Sequence, residues 1–384
     1  MYIYFVRATV LSLLLGITAD SLAEEIVDTG FHKQNVRESP VRGIERNPNR
    51  APRSKTKNPH IRSLDGSGNN LANPDYNSAH TQLRRRMGAD YSDYTQQMSG
   101  QYRPGPREIS NAIAHQASDH SNDRGISDYL WQWGQFLDHD IDLTDGTSPA
   151  EPAPIAIPAG DPYFDPKGTG EESLAFNRSH YDQDSGTGPD NPRQQMNEIS
   201  GWIDASNVYG SDEERARALR KNNGSGQLKT SRGGLLPFNT AGLPNAGGDS
   251  EKLFLAGDVR AKEQVALTAM HTLFVREHNR LARKIRRSFP YLDGEAIYQR
   301  ARRLVGAQMQ IITYEEFLPL LLGNDALSPY EGYDNKVDPR IMNEFSTAAY
   351  RLGHSLLSPT ILRVDRRGNE IEAGLPETGP LRGR

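Results

Sequence analysis

The amino-acid sequence predicts a mainly α-helical fold with long loops and very little β structure, and three observations support this prediction. Apolar residues recur three and four positions apart in several segments of the 384-residue chain, which is the spacing of one helix face. No series of segments alternates apolar and polar residues as strands do. Hydrophobic residues make up 35% of the chain and charged residues 24%, a composition that excludes a polytopic membrane protein.

The chain contains no cysteine. This excludes disulfide scaffolds, thiolate metal sites, iron–sulfur clusters and cysteine nucleophiles, so histidines and carboxylates must supply any metal chemistry. The formal net charge of −4 gives no indication of a nucleic-acid partner.

The first 23 residues have the three-part pattern of a secretory signal peptide. Arg7 precedes the apolar run ATVLSLLLGITA, and small residues lead up to Ala23. A buried apolar helix or an uncleaved anchor is the alternative interpretation, although the run is short for a membrane span. We therefore expect a secreted protein, extracellular or periplasmic, without stable membrane insertion.

Residues 24–61 are basic, rich in proline and poor in apolar residues, so we expect a disordered arm there. A solvated linker is the simpler interpretation of this arm, and docking on an anionic surface is the alternative. One ordered domain is expected over residues 62–384.

Two helices and one long loop are expected in the first half of this domain. The first helix begins at about Glu108, after a segment broken by proline and glycine. The second covers residues 126–142, where apolar residues recur at helical spacing. Residues 144–198 are rich in proline, glycine and aspartate, which indicates a long surface loop.

Three further helices are expected over residues 263–287, 293–318 and about 340–357. The first of these has an apolar stripe that includes Leu273. The second begins with Asp293 as a cap and is expected to end before Pro319.

Asp138, His139 and Asp140 are neighbours on the helix of residues 126–142. Successive helix residues point about 100° apart, so the three side chains cannot all serve one centre. An arrangement that fits has His139 facing a pocket and the two carboxylates facing different neighbours. A solvated helix face is the simpler alternative.

A second candidate site lies in residues 200–206. In an extended segment alternate residues share a side, so Ser200, Asp204 and Ser206 would project together. Two carboxylates, two hydroxyls and a backbone carbonyl would make an all-oxygen shell that suits Ca²⁺. A polar strand followed by a turn at Tyr209 and Gly210 is the alternative.

A third candidate site comprises Arg260 and Glu263, at the head of the longest helix, and His354 much later in the chain. His354 lies on an otherwise apolar helix, where a satisfied core histidine is the simpler interpretation. His271 and His278 roughly share a face of the longest helix, and we assign both to packing.

Taken together, these segments resemble the animal-type haem peroxidases. The resemblance rests on several motifs that occur in the family's order over roughly residues 62–365. They are RPGPREISNAI, WQWGQFLDHDIDLT, ISGWIDASNVYGSDE, FLAGDVRAKEQVALTAMHTLFVREHNRLA, GAQMQIITYEEFLPLLLG and VDPRIMNEFSTAAYRLGHSLL.

The resemblance implies a role for each matching residue. His139 would be the distal histidine that takes a proton from H₂O₂ and returns it to the leaving oxygen. Arg260 would be the distal arginine that stabilises the developing charge, and Gln135 would orient water or a halide ion. His354 would be the proximal ligand of the haem iron, and Arg351 would pair with a haem propionate.

The resemblance also implies the attachment of the cofactor, a b-type haem, through ester bonds to Asp138 and Glu263. It further implies a structural Ca²⁺ ion that would brace the helix of His139. The implied calcium ligands are Asp140, Ser200, Trp202 through its backbone carbonyl, Asp204 and Ser206.

Two features depart from the family pattern. Gln264 follows Glu263 where myeloperoxidase has the methionine of a sulfonium link, so the very high oxidising power associated with that link is not expected. The chain also ends 30 residues after His354, whereas family members continue with further helices that complete the proximal side. We therefore expect a C-terminally truncated peroxidase domain, without a placed asparagine to orient the proximal histidine.

The expected function is that of a secreted, Ca²⁺-dependent haem peroxidase that reduces H₂O₂ and serves in the response to oxidative stress. Its expected second substrate is a small donor such as a halide, thiocyanate or a phenolic compound. A fatty-acid dioxygenase of the same superfamily is one alternative, and a non-catalytic matrix or adhesion module is another. A bare haem carrier is a third, and the sequence does not indicate an oligomeric state.

Overall fold

A computed structural model describes residues 61–118 and 120–358, together with residues 360, 361, 364, 365, 367, 369–371, 375 and 376. The expected signal peptide of residues 1–23 lies outside this part of the chain. The expected arm of residues 24–61 does so too, except for its last residue. Among the described residues, no helix is both long enough and apolar enough to cross a membrane.

Helices dominate the described part of the chain, which confirms the prediction of a mainly α fold. The α-helices are α1 (Pro106–Ile113), α2 (Tyr129–Ile141), α3 (Ser206–Tyr209), α4 (Glu213–Leu219), α5 (Val265–Ser288), α6 (Gly294–Ile311), α7 (Leu318–Leu322) and α8 (Asn343–Thr347). A π-helix (Ile312–Phe317) joins α6 to α7, and 3-10 helices cover Arg232–Gly234 and Ala349–Leu356.

The strands in the described residues are two residues long and form three antiparallel pairs. They are β1 (Thr81–Gln82) with β4 (Met196–Asn197), β2 (Ile155–Ala156) with β3 (Ser173–Leu174), and β5 (Thr360–Ile361) with β6 (Leu375–Pro376). Thr81 lies opposite Asn197 and Ile155 opposite Leu174. Residues 144–198 thus form the long loop that the sequence predicts, with only short paired segments.

Asn197 returns this loop to the end of α2. Its side-chain amide donates to the carbonyl of Ile141 at 2.8 Å, and its side-chain oxygen accepts from the backbone N–H of Leu143 at 3.0 Å. Asn197 is buried, and hydrogen bonds between buried groups fix geometry because an unmade bond is costly. The segment after residue 197 is therefore held beside α2.

The main core lies between α2, α5 and α6. Phe136 of α2 stacks on Phe274 of α5 with ring centroids 4.9 Å apart, and Val305 of α6 is fully buried. Burial of each such side chain stabilises the fold by roughly 1.5–3 kcal/mol. Leu273 is 40% exposed, so the buried stripe of α5 is narrower than the sequence pattern suggests.

The start of α6 agrees with the prediction from the sequence, and two later helix boundaries differ from it. Asp293 caps α6 as predicted, since its carboxylate accepts from the backbone N–H of Ala296 at 2.7 Å. The expected stop before Pro319 is wrong, because the π-helix continues directly into α7 and Pro319 lies in the first turn of α7. The helix expected over residues 340–357 is broken at Ala348, whose φ and ψ angles are −128° and −65°.

Candidate functional site

His139 lies on α2 and is almost completely buried, with 2% of its side chain exposed. Its Nδ1 atom is 3.4 Å from a carboxylate oxygen of Asp258, and its Nε2 atom is 3.6 Å from a carboxylate oxygen of Glu263. The Nδ1 atom makes no hydrogen bond of normal geometry within the described part of the chain. The imidazole therefore lies between two carboxylates, and the distances from its nitrogens to both are longer than those of normal hydrogen bonds.

Arg260 is fixed by the same carboxylate that faces His139. Its Nε and one terminal nitrogen donate to the two oxygens of Asp258 at 3.0 and 2.8 Å, and that terminal nitrogen also donates to the carbonyl of Asp142 at 2.8 Å. The other terminal nitrogen is 3.5 Å from Asp138. Such a two-point pair fixes the position and the orientation of the guanidinium.

Asp258 and Arg260 each favour the charged form of the other. Burial opposes ionisation of Asp258, but Arg260 and His139 outweigh burial and hold the pKa of this carboxyl well below its usual range. Burial likewise opposes the charge of Arg260, yet Asp258, followed by Asp138 and Glu263, raises its pKa. Both groups are therefore charged throughout the physiological pH range.

Asp258 and Asp142 are functional candidates that the sequence analysis missed. Asp142 is buried, accepts from the hydroxyl of Ser346 at 2.7 Å and from Arg351 at 2.9 Å, and its pKa is raised by burial and by Asp138. In the sequence, only the spacing Asp-x-Arg before α5 pointed to a role for Asp258. A carboxylate two residues before an arginine can pair with that arginine locally.

Three glutamines join α2 to the start of α5. The side-chain oxygen of Gln264 accepts from the backbone N–H of Ala266 and caps α5, and its amide donates to Gln135 at 2.9 Å and to Gln132 at 2.5 Å. Gln135 in turn donates to Glu263 at 3.2 Å. Gln264, the departure from the family pattern, thus positions the edge of the site.

Asp138 connects this site to the segment that carries His354. Arg351 donates to both oxygens of Asp138, at 3.4 and 3.2 Å. Asp138 therefore lies between Arg351 and Arg260, and the 3-10 helix Ala349–Leu356 contacts α2. The structure thus brings together segments that are about 210 residues apart in the chain.

His354 lies on the exposed side of this 3-10 helix, so the alternative of a buried core histidine is wrong. Neither of its ring nitrogens has a hydrogen-bond partner within the described residues. Leu352 and Leu356 beside it are 48% and 38% exposed. An imidazole with free nitrogens, set in an open apolar surface, is suited to bind a further group.

The segment of residues 200–206 is bent and not extended as expected. It turns at residues 202–204, and Ala205 has a positive φ of 66°, a conformation that residues with a side chain rarely adopt. The expected grouping of Ser200 with Asp204 nevertheless occurs, because the hydroxyl of Ser200 donates to Asp204 at 2.9 Å. The carbonyl of Trp202 accepts from the backbone N–H of Asp204 at 2.8 Å.

Asp140 faces this bent segment from α2. Its carboxylate accepts from the backbone N–H groups of Ala205 and Asn207, each at 3.2 Å, and from the hydroxyl of Ser206 at 3.1 Å. Burial and the nearby charge of Asp204 raise the pKa of Asp140, and burial raises that of Asp204. Two buried carboxylates that disfavour each other's charge are the electrostatic arrangement that a cation relieves.

The side chains of Asp140, Ser200, Asp204 and Ser206 form a group of oxygen atoms. No cluster of three or more histidine, cysteine, aspartate or glutamate side chains that could hold a metal ion occurs among the described residues. The oxygen group has two such side chains, and hydroxyls and carbonyls would have to supply the other ligands.

Comparison with known proteins decides the family. The model of the animal haem peroxidase family matches residues 61–379, most of the chain. The chain belongs to the animal haem peroxidase family. The family resemblance inferred from the motifs is thereby confirmed.

Individual relatives agree with this assignment. The chain is 36% identical to lactoperoxidase from Mesocricetus auratus over 375 residues, which cover 83% of this chain and 50% of the relative. Peroxidase A from Dictyostelium discoideum has a similar structure, with a TM-score of 0.73 and 31% identity over 81% of this chain and 63% of that one. The chain thus spans about half the length of the lactoperoxidase that it matches.

A fatty acid α-dioxygenase from Arabidopsis thaliana is similar in fold alone. Its TM-score is 0.60 at 19% identity, and the match covers 80% of this chain and 49% of that one. This similarity therefore concerns the fold alone and gives no information about the reaction.

Proposed function

We propose that this protein is a haem peroxidase that reduces H₂O₂ and oxidises a small donor. The observation that carries the proposal is the position of Asp138. It contacts Arg351, which is three residues before His354, and it lies 3.5 Å from Arg260 beside His139. The residues expected on the two sides of a haem are thereby grouped around one carboxylate.

The residues present fit a haem group. His354 is exposed, has no hydrogen-bond partner within the described residues, and lies between exposed leucines, so a ring nitrogen is available to an iron ion and the leucines to an apolar ring. Arg351 would pair with a propionate. Asp138 and Glu263 would form the ester bonds, and the 43% exposure of the Glu263 side chain leaves it free to turn toward a bound group. A haem bound there would supply the redox chemistry of peroxide reduction.

His139 would act as the acid–base group through its Nε2 atom. The ionised Asp258 near Nδ1 favours the tautomer that carries its proton on Nδ1, so Nε2 keeps its lone pair. Nε2 would take a proton from H₂O₂ and later return it to the leaving oxygen. Glu263 must turn away for this step, because its carboxylate lies 3.6 Å from Nε2.

Arg260 would stabilise the charge that develops on the departing oxygen. Its position is set before the reaction by Asp258 and by the carbonyl of Asp142. A donor that is fixed in advance requires little reorganisation during the reaction, which is why such groups have large effects on rate. Gln135 and Gln264 would orient water or the donor at the edge of the site.

A Ca²⁺ ion is proposed between Asp140 and Asp204. The two carboxylates, the hydroxyls of Ser200 and Ser206 and the carbonyl of Trp202 would supply its oxygen ligands. The raised pKa values of both aspartates support the proposal, since a bound cation would offset the cost of two buried charges. Calcium would thus fix the C-terminal end of α2, next to His139.

Halides, thiocyanate and phenols are the proposed donors, and secretion is proposed from the pattern of the first 23 residues. Gln264 cannot form a sulfonium link, so we expect phenols and thiocyanate to be better donors than chloride.

The test is an absorption spectrum of the purified protein supplied with haem and Ca²⁺, recorded before and after H₂O₂. We expect a Soret band that shifts with H₂O₂ and recovers when phenol, bromide or thiocyanate is added. A stable Soret band that does not respond to H₂O₂ would indicate a haem carrier. The absence of any Soret band would indicate a non-catalytic module.

A further inference from the structure

A second cluster of polar aromatic side chains lies on the far part of α5, outside the site described above. Tyr209 and His278 are fully buried, and Tyr298 is 1% exposed. The ring of Tyr209 lies 5.4 Å from that of His278 and 5.8 Å from that of Tyr298, centroid to centroid. The proposed peroxidase mechanism uses none of these three residues.

The hydrogen bonds of His278 define its tautomer. One ring nitrogen, Nε2, lies 2.9 Å from the carbonyl of Gly226, and a carbonyl can only accept, so Nε2 carries the proton. The other nitrogen, Nδ1, therefore has a free lone pair and accepts from the hydroxyl of Tyr209 at 2.8 Å. Burial lowers the pKa of His278 to about 4, so the ring is neutral at pH 7.

We propose that Tyr209 and His278 form a proton-coupled redox pair that takes up an oxidising equivalent from the haem site. The inference rests on the proposed peroxidase function. A buried phenol releases its proton on one-electron oxidation, and here a neutral nitrogen stands within hydrogen-bond distance to receive it. A tyrosine without such a partner would have to lose the proton to a medium that cannot hold it.

Tyr209 would lose one electron to the oxidising equivalent that a haem held at the first site would supply after reaction with H₂O₂. The phenolic O–H bond breaks and an N–H bond forms at Nδ1 of His278, which leaves a neutral tyrosyl radical beside an imidazolium. An external one-electron donor of the phenol class then reduces the radical, and the proton returns from His278 to Tyr209.

Aromatic rings extend from His139 through the core toward the second cluster. His139 lies 6.2 Å from His271, His271 lies 5.0 Å from Phe136, and Phe136 stacks on Phe274 at 4.9 Å, all between ring centroids. Phe274 and His278 are four residues apart on α5, so they lie on one face of that helix. The ring contacts therefore run from His139 to Phe274, and His278 of the redox pair lies one helical turn further along the same face of α5.

Tyr298 leads from the pair toward solvent. Its ring packs edge-on against Tyr209, and it lines a cavity of about 420 Å³ that Arg217, Arg220 and Arg302 also line. Its hydroxyl has no hydrogen-bond partner among the residues that the structure describes, so it offers no site for the phenolic proton. Tyr209 is thus the residue that holds the radical, and Tyr298 is its contact to the cavity.

The experiment is electron paramagnetic resonance on the haem-loaded protein, frozen soon after H₂O₂ is added without a donor. We expect a tyrosyl radical signal that is absent in Tyr209→Phe. In His278→Gln the radical should form about 100-fold more slowly, the lower end of the range for a positioned proton acceptor. Tyr91→Phe is the matched control, since the Tyr91 hydroxyl donates to a backbone carbonyl, and it should keep the signal.

The Soret band of the same samples separates this inference from the proposed function. A Soret shift with H₂O₂ but no tyrosyl radical, or an unchanged signal in Tyr209→Phe, would overturn the redox pair. If the Soret band does not respond, the haem-free protein is oxidised instead with a photogenerated ruthenium(III) complex, and loss of a radical component in Tyr209→Phe is again expected. If His278→Gln does not fold, slower reduction of the wild-type radical in D₂O than in H₂O is the substitute readout, and equal rates would contradict the proposal.

Discussion

The surroundings of His139 and of His354 differ in how completely the chain itself fixes them. His139 is buried between two carboxylates, and its neighbour Arg260 makes three hydrogen bonds to Asp258 and one to a backbone carbonyl. One of those three bonds comes from the backbone of Arg260. His354 is exposed on a short 3-10 helix and has no hydrogen-bond partner in the described part of the chain.

This difference shows that the His139 side and the His354 side are held in place by different interactions. The His139 side is fixed before any cofactor binds, because its charged groups satisfy one another. The His354 side gains its order from what it binds, since no hydrogen bond from the described residues orients the ring. Changes on the His139 side should therefore affect reaction rate and folding, and changes on the His354 side should affect haem affinity.

The largest expected effect comes from removing the acid–base group. His139→Ala should lower the rate of reaction with H₂O₂ by about 10²–10⁴-fold, while the Soret band of the bound haem is kept. Stopped-flow absorption measures this rate. His180→Ala is the control, because His180 pairs with Glu198 in the long loop, and it should react like the wild type. Equal rates in His139→Ala and wild type would refute the acid–base role.

Removing the fixed charge should act on both rate and folding. Arg260→Gln should slow the reaction by about 10²–10³-fold. It should also destabilise the protein by about 3–5 kcal/mol, because Asp258 is left as a buried, unpaired charge. Adding Asp258→Asn should restore most of the stability and none of the rate. Urea unfolding measures the stability and stopped-flow absorption measures the rate. A packing defect alone would not let Asp258→Asn restore the stability while the rate stays low.

Calcium removal should loosen the His139 side without touching the His354 side. A chelator should lower the free energy of unfolding by about 2.7 kcal/mol relative to protein in Ca²⁺ at 100 times its Kd. Asp140→Asn should abolish this difference, since Asp140 is a proposed ligand. Thermal unfolding with and without chelator is the measurement. A chelator effect that persists unchanged in Asp140→Asn would place the ion elsewhere.

Acid should destabilise the fold through the two buried histidines of α5, of which His271 lies beside His139 and His278 lies outside that site. Burial lowers the pKa of His271 to about 3 and that of His278 to about 4, below the ordinary value of 6.5. The unfolded chain therefore takes up protons first as the pH falls below 6.5, and each histidine costs the folded state about 1.4 kcal/mol per pH unit until its own pKa is reached. His278→Gln should remove one proton from this slope in urea unfolding between pH 6.5 and 4. An unchanged slope would show that His278 is not buried as a neutral ring.

The helical class and the family could be predicted from the sequence because periodicity and motif order are local signals. The cap at Asp293 and the long loop of residues 144–198 were predictable for the same reason. The pairing of Asp258 with His139 was not, since nothing in the sequence shows which of many carboxylates the fold brings to a histidine on another element.

The errors in the prediction also have physical causes. Alternation suggested an extended segment at residues 200–206, but the hydrogen bonds from Ala205 and Asn207 to Asp140 favour a bend. An apolar pattern made a buried core histidine the simpler alternative for His354, yet the same pattern fits an exposed face that a haem would cover. The roles of the site residues remain predictions that the experiments above test.

The most direct test of the difference between the two sides compares haem binding in two variants. His354→Ala should lose the Soret band of the wild-type protein, and added imidazole should restore it, because the ring is the missing iron ligand. His139→Ala should keep the band without imidazole. A wild-type Soret band in His354→Ala, with no response to imidazole, would contradict the assignment of His354 and the account built on it.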